Sequence, residues 1–181
     1  HRAGDSQAPD GTPLNTSYAR SSATLQARHK FGAMAFDALL MPSRTEDIGK
    51  SNTRYPDRQV TNYPVDAHTL WRLRMRHDLG FEASMYGHDQ ELTTFKQTAG
   101  KVDEFASIAS DDRGATVQQT WSWGAFKNNV GVEYFGRRDV TGWDAKGSRN
   151  DRTYSLVDAR EDTWSLFALT DWNVAPTVAL E

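Results

Sequence analysis

The chain has 181 residues, a net charge of −3, no cysteine and a mean hydropathy of −0.70. Without cysteine there is no disulfide framework and no thiolate metal site, and slight acidity leaves no electrostatic footprint for a nucleic-acid partner. Aromatic residues at 11% are too many for a disordered chain, and no stretch approaches the roughly 18 apolar residues of a membrane helix, a test that alternating strands escape.

Residues 1–17 are polar and carry Gly4, Pro9, Gly11 and Pro13, so they read as a loop. No basic-then-apolar leader is present, and both ends of the chain read as cut, since Val178-Ala179-Leu180 resembles the start of a strand. From residue 18 onward, strand-like segments come in pairs around tight turn signals. Tyr18–Lys30 and Ala33–Met41 flank Phe31-Gly32, and Thr69–Arg76 and Phe81–Tyr86 flank His77-Asp78-Leu79-Gly80. Ala115–Ser122 and Lys127–Phe135 flank Trp123-Gly124-Ala125. Thr163–Asp171 and Thr177–Leu180 flank Trp172-Asn173-Val174-Ala175-Pro176.

Between the pairs lie polar stretches, Pro42–Asp66, Gly87–Arg113 and Gly136–Arg160, which read as long loops. The tight turns recur at roughly 46 to 50 residues, so connections alternate short and long. An antiparallel transmembrane β-barrel segment of about eight strands is built this way, with short periplasmic turns and long extracellular loops.

Side-chain alternation supports that expectation. Trp71, Leu73 and Met75 alternate with Arg72, Arg74 and Arg76, and in a strand the two sets face opposite sides. An apolar face toward lipid and an arginine face toward a wet lumen suit a barrel; a soluble strand with its arginines in solvent is the competing explanation. Phe81, Ala83 and Met85 alternate with Glu82, Ser84 and Tyr86. Phe126, Val130, Val132 and Tyr134 oppose Lys127, Asn129, Gly131 and Glu133. Phe167 and Leu169 interrupt the polar set of the segment holding Trp164, Leu166 and Ala168. Trp121, Trp123, Phe126 and Trp172 gather at short turns, where the amphipathic ring favours a membrane interface. Core aromatics of a β-sandwich are the alternative reading.

No catalytic constellation stands out, so the chain is not expected to be an enzyme. His1, His29, His68, His77 and His88 show no metal-ligand spacing, and no metal or cofactor is expected. Asp111-Asp112 and the group Asp158, Glu161 and Asp162 read as solvated loop carboxylates; the second group has the chemistry for calcium.

Four stretches, Arg44–Arg58, Gly131–Arg138, Ser165–Trp172 and the tail Pro176–Glu181, resemble the TonB-dependent outer-membrane receptors. The resemblance spans residues 18–181 and implies part of a barrel of about 22 strands, without the plug domain that engages TonB. It implies a bacterial outer-membrane location, lipid as surroundings, TonB as partner through a plug outside this chain, and uptake of a scarce small molecule or metal chelate such as a ferric siderophore. Arg54, Tyr55, Arg58 and Tyr63 form one aromatic-basic cluster in the polar stretches, and Arg137, Arg138 and Trp143 another. Arginine attracts an anionic chelate and flat aromatic rings hold it. Arg72, Arg74 and Arg76 would line the lumen and steer the same ligand. A passive porin or small barrel, and a soluble β-sandwich that binds a ligand or carries an enzyme site, remain alternatives.

Overall fold

The computed structural model describes residues 1–51, 59–175 and 178–180. Among these every regular element is a strand. Residues 2–3 (β1), 6–7 (β2) and 13–14 (β3) are two-residue strands, followed by Tyr18–Ser22 (β4) and Leu25–Phe31 (β5). The long strands are Met34–Lys50 (β6), Gln59–His77 (β7), Phe81–Thr98 (β8), Glu104–Trp123 (β9), Phe126–Lys146 (β10) and Arg152–Ala175 (β11), and Val178–Leu180 is β12. Ten of them form one antiparallel sheet in the order β1-β4-β6-β7-β8-β9-β10-β11-β12, with β5 beside β4 on the same edge of β6. Among the described residues the sheet is open: one margin is formed by β1, β4 and β5, the other by β12, and the two margins do not meet.

The predicted strand segments are strand apart from residues 23–24 and 33, with Thr177 outside the described residues; of the predicted turn at 172–176, Trp172–Ala175 are instead the end of the strand β11. Gly32-Ala33 and Gly124-Ala125 are two-residue loops closed by the pairs Phe31↔Met34 and Trp123↔Phe126. Their glycines have φ of 56° and 58°, the conformation a type II′ hairpin demands at its first loop position. Pro176 and Thr177 lie outside the described residues.

The long loops are a correction. Pro42–Asp66, Gly87–Arg113 and Gly136–Arg160 are mostly strand, because β6 to β11 run on well past the apolar positions. Among the described residues, 99–103 and 147–151 connect the strands at that end. Cross-strand backbone bonds and ion pairs such as Lys96–Glu104 at 3.0 Å sustain these extensions. These extensions carry no apolar alternation, so periodicity does not reveal them.

Local chemistry explains the irregularities. β4 and β5 keep one register against β6, from Ala19↔Glu46 to Phe31↔Met34, yet the ladder breaks at residues 23 and 24. Pro42 lies opposite that break and has no N–H to donate; only its carbonyl takes part, accepting from Ala23 N at 3.0 Å. Pro64 sits where the β7–β8 register shifts, between Asn62 and Val65, which is where a sheet tolerates proline. Asp139 lies at a β10 register shift with φ of 51°; aspartate enters this left-handed region more readily than most residues.

The N-terminal residues cross to the far end of the sheet. Gly49 N donates to Ser17 O at 2.8 Å, and Asn15 Nδ2 donates to Thr61 O and Asn62 Oδ1.

Candidate functional site: the polar face of the sheet

The register sorts side chains into two faces. One carries, across β5 to β11, Ala27, Phe36, Leu40, Leu73, Met75, Ala83, Met85, Val117, Val130, Val132, Leu166 and Ala168. This face is the exposed one: Leu73 is 53% exposed, Met85 55% and Leu166 86%. The other face carries Arg28, Asp37, Arg74, Ser84, Thr116, Glu133 and Ser165 along a single cross-strand row. There Asp37 at 5% and Asp112 at 7% are buried, while Arg28 and Ser165 stay exposed. Polarity is thus inverted relative to a water-soluble sheet.

The apolar face is a band. It spans Leu25–Phe31, Met34–Pro42, Thr69–His77, Phe81–Gly87, Ala115–Trp123, Phe126–Tyr134 and Trp164–Trp172. Most of these segments are about nine residues long, the length of a tilted strand that crosses hydrocarbon. Phe31, Trp121, Trp123, Phe126 and Trp172 rim it at the turn end, with the Phe126 and Trp172 rings stacked at 5.8 Å. Trp71, Tyr134 and Trp164 rim the other end, with Tyr134 and Trp164 at 4.8 Å. Immediately beyond come charges held in pairs: Arg113 with Asp89 at 3.0 Å, and Arg138 with Asp162. An apolar depression of about 400 Å³, bordered by Phe36, Leu73, Met75 and Met85, lies on this face.

The polar face is built around Asp37 at its turn end. Its Oδ2 accepts from Arg28 Nε at 2.9 Å and its Oδ1 from Arg72 Nη2 at 3.2 Å, while Arg74 stands directly opposite in the register. Asp37 balances only part of this charge. The Nε atoms of Arg72 and Arg74 are buried without a hydrogen-bond partner, and Arg76 continues the row beside Glu82. The face therefore carries surplus positive charge on β5 to β7. Register places Arg72, Arg74 and Arg76, expected to line a lumen, on this one face, with Arg76 exposed.

Farther along, beyond the apolar band, Arg137 grips Asp112 through two bonds, Nε to Oδ1 at 2.7 Å and Nη2 to Oδ2 at 2.9 Å. This fork holds the Asp112 carboxyl below its ordinary value and pushes the guanidinium up. Asp111, on the opposite face, shifts the other way: burial raises it, and neighbouring Arg113 offsets that only in part.

Beside Asp112 in the β8–β9 register stands His88, and its imidazole meets His68 from β7. His68 Nδ1 and His88 Nε2 are 2.9 Å apart, the rings 5.1 Å apart and inclined by 19°. His68 Nε2 lies 2.8 Å from Asp66 Oδ1. Sequence spacing gave no sign of this pair, because the residues lie on adjacent strands and meet only through register. The tight turn at residues 78–80 is the one available cue, since it fixes which residues of β7 and β8 oppose each other.

The aromatic-basic clusters fare differently. Arg54, Tyr55 and Arg58 lie outside the described residues. Tyr63 receives Lys50, whose Nζ is 3.3 Å from the phenol oxygen and 5.8 Å from the ring centre. Arg137, Arg138 and Trp143 do not form one cluster. Arg137 pairs across β9 with Asp112 and Arg138 with Asp111, so they point to opposite faces. Trp143, opposite Ser107, shares the face of Arg138, but it is 8% exposed and covered by Arg152 at 4.5 Å. Asp111 and Asp112 also lie on a strand rather than a loop, as do Asp158, Glu161 and Asp162.

No helix among the described residues is long and apolar enough to cross a membrane, which says nothing about strands. No family model, curated protein or solved structure matches the chain.

Proposed function

We propose that this chain is a wall segment of an outer-membrane β-barrel that takes part in uptake of a small anionic solute. The observation that carries this reading is the inverted polarity: an exposed apolar band of membrane-spanning length, rimmed by aromatics, backs onto a face of ions built around the buried Asp37 and Asp112. In water the exposed Leu73, Met85 and Leu166 would belong to an uncovered apolar patch of the kind that marks an interaction or membrane surface. In lipid the same patch is satisfied, and the arginine-rich face becomes a wet inner surface.

Within this reading, Arg28, Arg72, Arg74 and Arg76 draw anions along the wall. The resemblance to TonB-dependent receptors supports a metal chelate as cargo and TonB as the energy source. A plug domain joined to this barrel in the natural polypeptide separates that route from passive diffusion, and loss of uptake on TonB deletion tests it. Membrane placement is tested by refolding the whole chain into lipid vesicles. Because the chain has six tryptophans and no cysteine, a single fluorescent label is placed on Leu73→Cys or Leu166→Cys; it is expected to be quenched by bromine-labelled acyl chains and untouched by iodide in the aqueous phase. A folded monomer in plain buffer, with both labels quenched by iodide, would overturn the reading.

A further inference from the structure

We infer that Arg74 and Arg76 form a binding site for a compact oxyanion of two or more negative charges, a phosphate or a dicarboxylate. The site deepens the uptake reading, and it rests on that reading for the wetting of this face. Strand register places both guanidiniums on the polar face of β7, two residues apart, with Arg28 and Lys30 in the same rows on β5. Only Ala35 stands between Lys30 and Arg76, and Ser84 lies beside Arg74 on β8. Neither of these small side chains reaches as far as a guanidinium, so the two arginine ends are left room for a ligand.

The second observation is a shortage of acceptors. Asp37 is buried, and its two oxygens are taken by Arg28 and Arg72. Lys30 reaches Asp78 of the turn at 3.5 Å. In the three rows that hold these cations, Asp37 and Glu82 are the carboxylates on β5 to β8, and Glu82 faces Arg76. Five cations therefore share two carboxylates. The Nε atoms of Arg72 and Arg74 are buried with no partner among the described residues, a mark of the same shortage. An oxyanion from solution does not reach these covered atoms. It accepts from the guanidinium ends and offsets the surplus charge.

Residues two apart on a strand stand about 7 Å apart at Cα, and one oxyanion with bonds of about 2.8 Å on either side spans such a pair. Arg76 is exposed and Arg74 half-buried, so the pair is open to solvent. Asp37 is then a tethered competitor. Its carboxylate holds Arg28 and Arg72 in place and lowers the positive charge left for a ligand. This arrangement has a sign that a purely structural ion cluster lacks: removal of the Asp37 charge weakens the sheet yet tightens binding of an external anion.

The test is calorimetric titration of the whole chain in nonionic micelles with pyrophosphate, malonate and chloride at matched ionic strength. Binding of pyrophosphate or malonate at one equivalent, with none of chloride, is expected; the stronger of the two tells a phosphate source from a carboxylate one. Arg74→Gln and Arg76→Gln should each weaken binding about tenfold. Lys127→Gln removes a cation of the same face on β10 and should change nothing. Asp37→Asn and Glu82→Gln should each tighten binding about threefold or more. Saturating pyrophosphate should also raise the denaturant midpoint of Asp37→Asn more than that of the parent. Circular dichroism of each variant checks that the sheet persists, and Glu82→Gln carries the sign test if Asp37→Asn does not fold. Equal binding of chloride, unchanged affinity in Arg74→Gln and Arg76→Gln, or weaker binding in Glu82→Gln would overturn the proposal. Absence of oxyanion binding in a chain whose labels at positions 73 and 166 are quenched by lipid would overturn the site and leave the membrane placement standing.

Discussion

Asp112 and Asp111 are chain neighbours with opposite electrostatic fates, and strand alternation is the cause. Asp112 turns to the polar face and meets the Arg137 fork; Asp111 turns away, and burial dominates its environment. The folded pKa of Asp112 lies below 3.8, so its contribution to stability is fully present above that value and disappears as pH falls through the lower folded value. The acid limb of the stability curve in micelles is therefore expected to flatten in Asp112→Asn, measured by denaturant titration across that window. Arg137 is half in solvent, so Arg137→Ala is expected to cost about 1 kcal/mol at neutral pH, near the upper end for exposed pairs. Asp37 is more covered and serves two guanidiniums. Asp37→Ala leaves Arg28, Arg72 and Arg74 facing one another without an anion, and the loss should exceed that of Arg137→Ala in the same assay.

At the level of the strand, two glycines are occupied by their neighbours. Gly87 pairs with Trp71 and lies under its indole, and Gly114 pairs with Tyr86 and lies under its phenol ring. A Cβ at either position meets the ring itself, so an aromatic here covers the bare backbone of the next strand. Gly114→Val is expected to expel Tyr86 from its place and cost about 1–3 kcal/mol. The double variant with Tyr86→Ala should recover part of that loss, because the clash is gone; denaturant midpoints of the single and double variants check it. Pro42 shows the same dependence of one strand on another. The break between β4 and β5 follows from a missing N–H on β6, and Pro42→Ala supplies the donor. Slower amide exchange around residues 23–24 in that variant is the expected outcome.

Across the whole sheet the two faces respond to substitution in opposite ways. Leu73→Arg and Val132→Arg place a charge in the middle of the apolar band, and each should cost about 2–4 kcal/mol of stability in vesicles. Ser84→Arg and Thr116→Arg, on the polar face of the same rows, should cost far less, since that face is wetted in a barrel. Equal costs on both faces, measured by the same unfolding titration, would contradict a lipid-facing band. The open margins bear on assembly. Unpaired strand edges do not persist in hydrocarbon, so a membrane-embedded sheet of this kind completes its ladder with further strands.

The strands of the apolar band and the tight turns were legible in the residues, because period-two alternation and glycine at hairpin positions are local signals. Leu73 beside Arg74, and Gly32 or Gly124 between apolar runs, carry that information without any partner. The far halves of β6 to β11 were not legible. They have no apolar period, and what is buried there, such as Thr93, Ser110 and Trp143, follows from pairing with the neighbouring strands rather than from a local pattern. The same physics separates the candidate site into two parts. The shared face of Arg72, Arg74 and Arg76 followed from alternation alone. Only register decided that Asp37 binds Arg28 and Arg72, that Asp112 holds Arg137 while Arg138 turns away, and that His68 meets His88. A one-residue slip between β7 and β8 would send the two histidines to opposite faces.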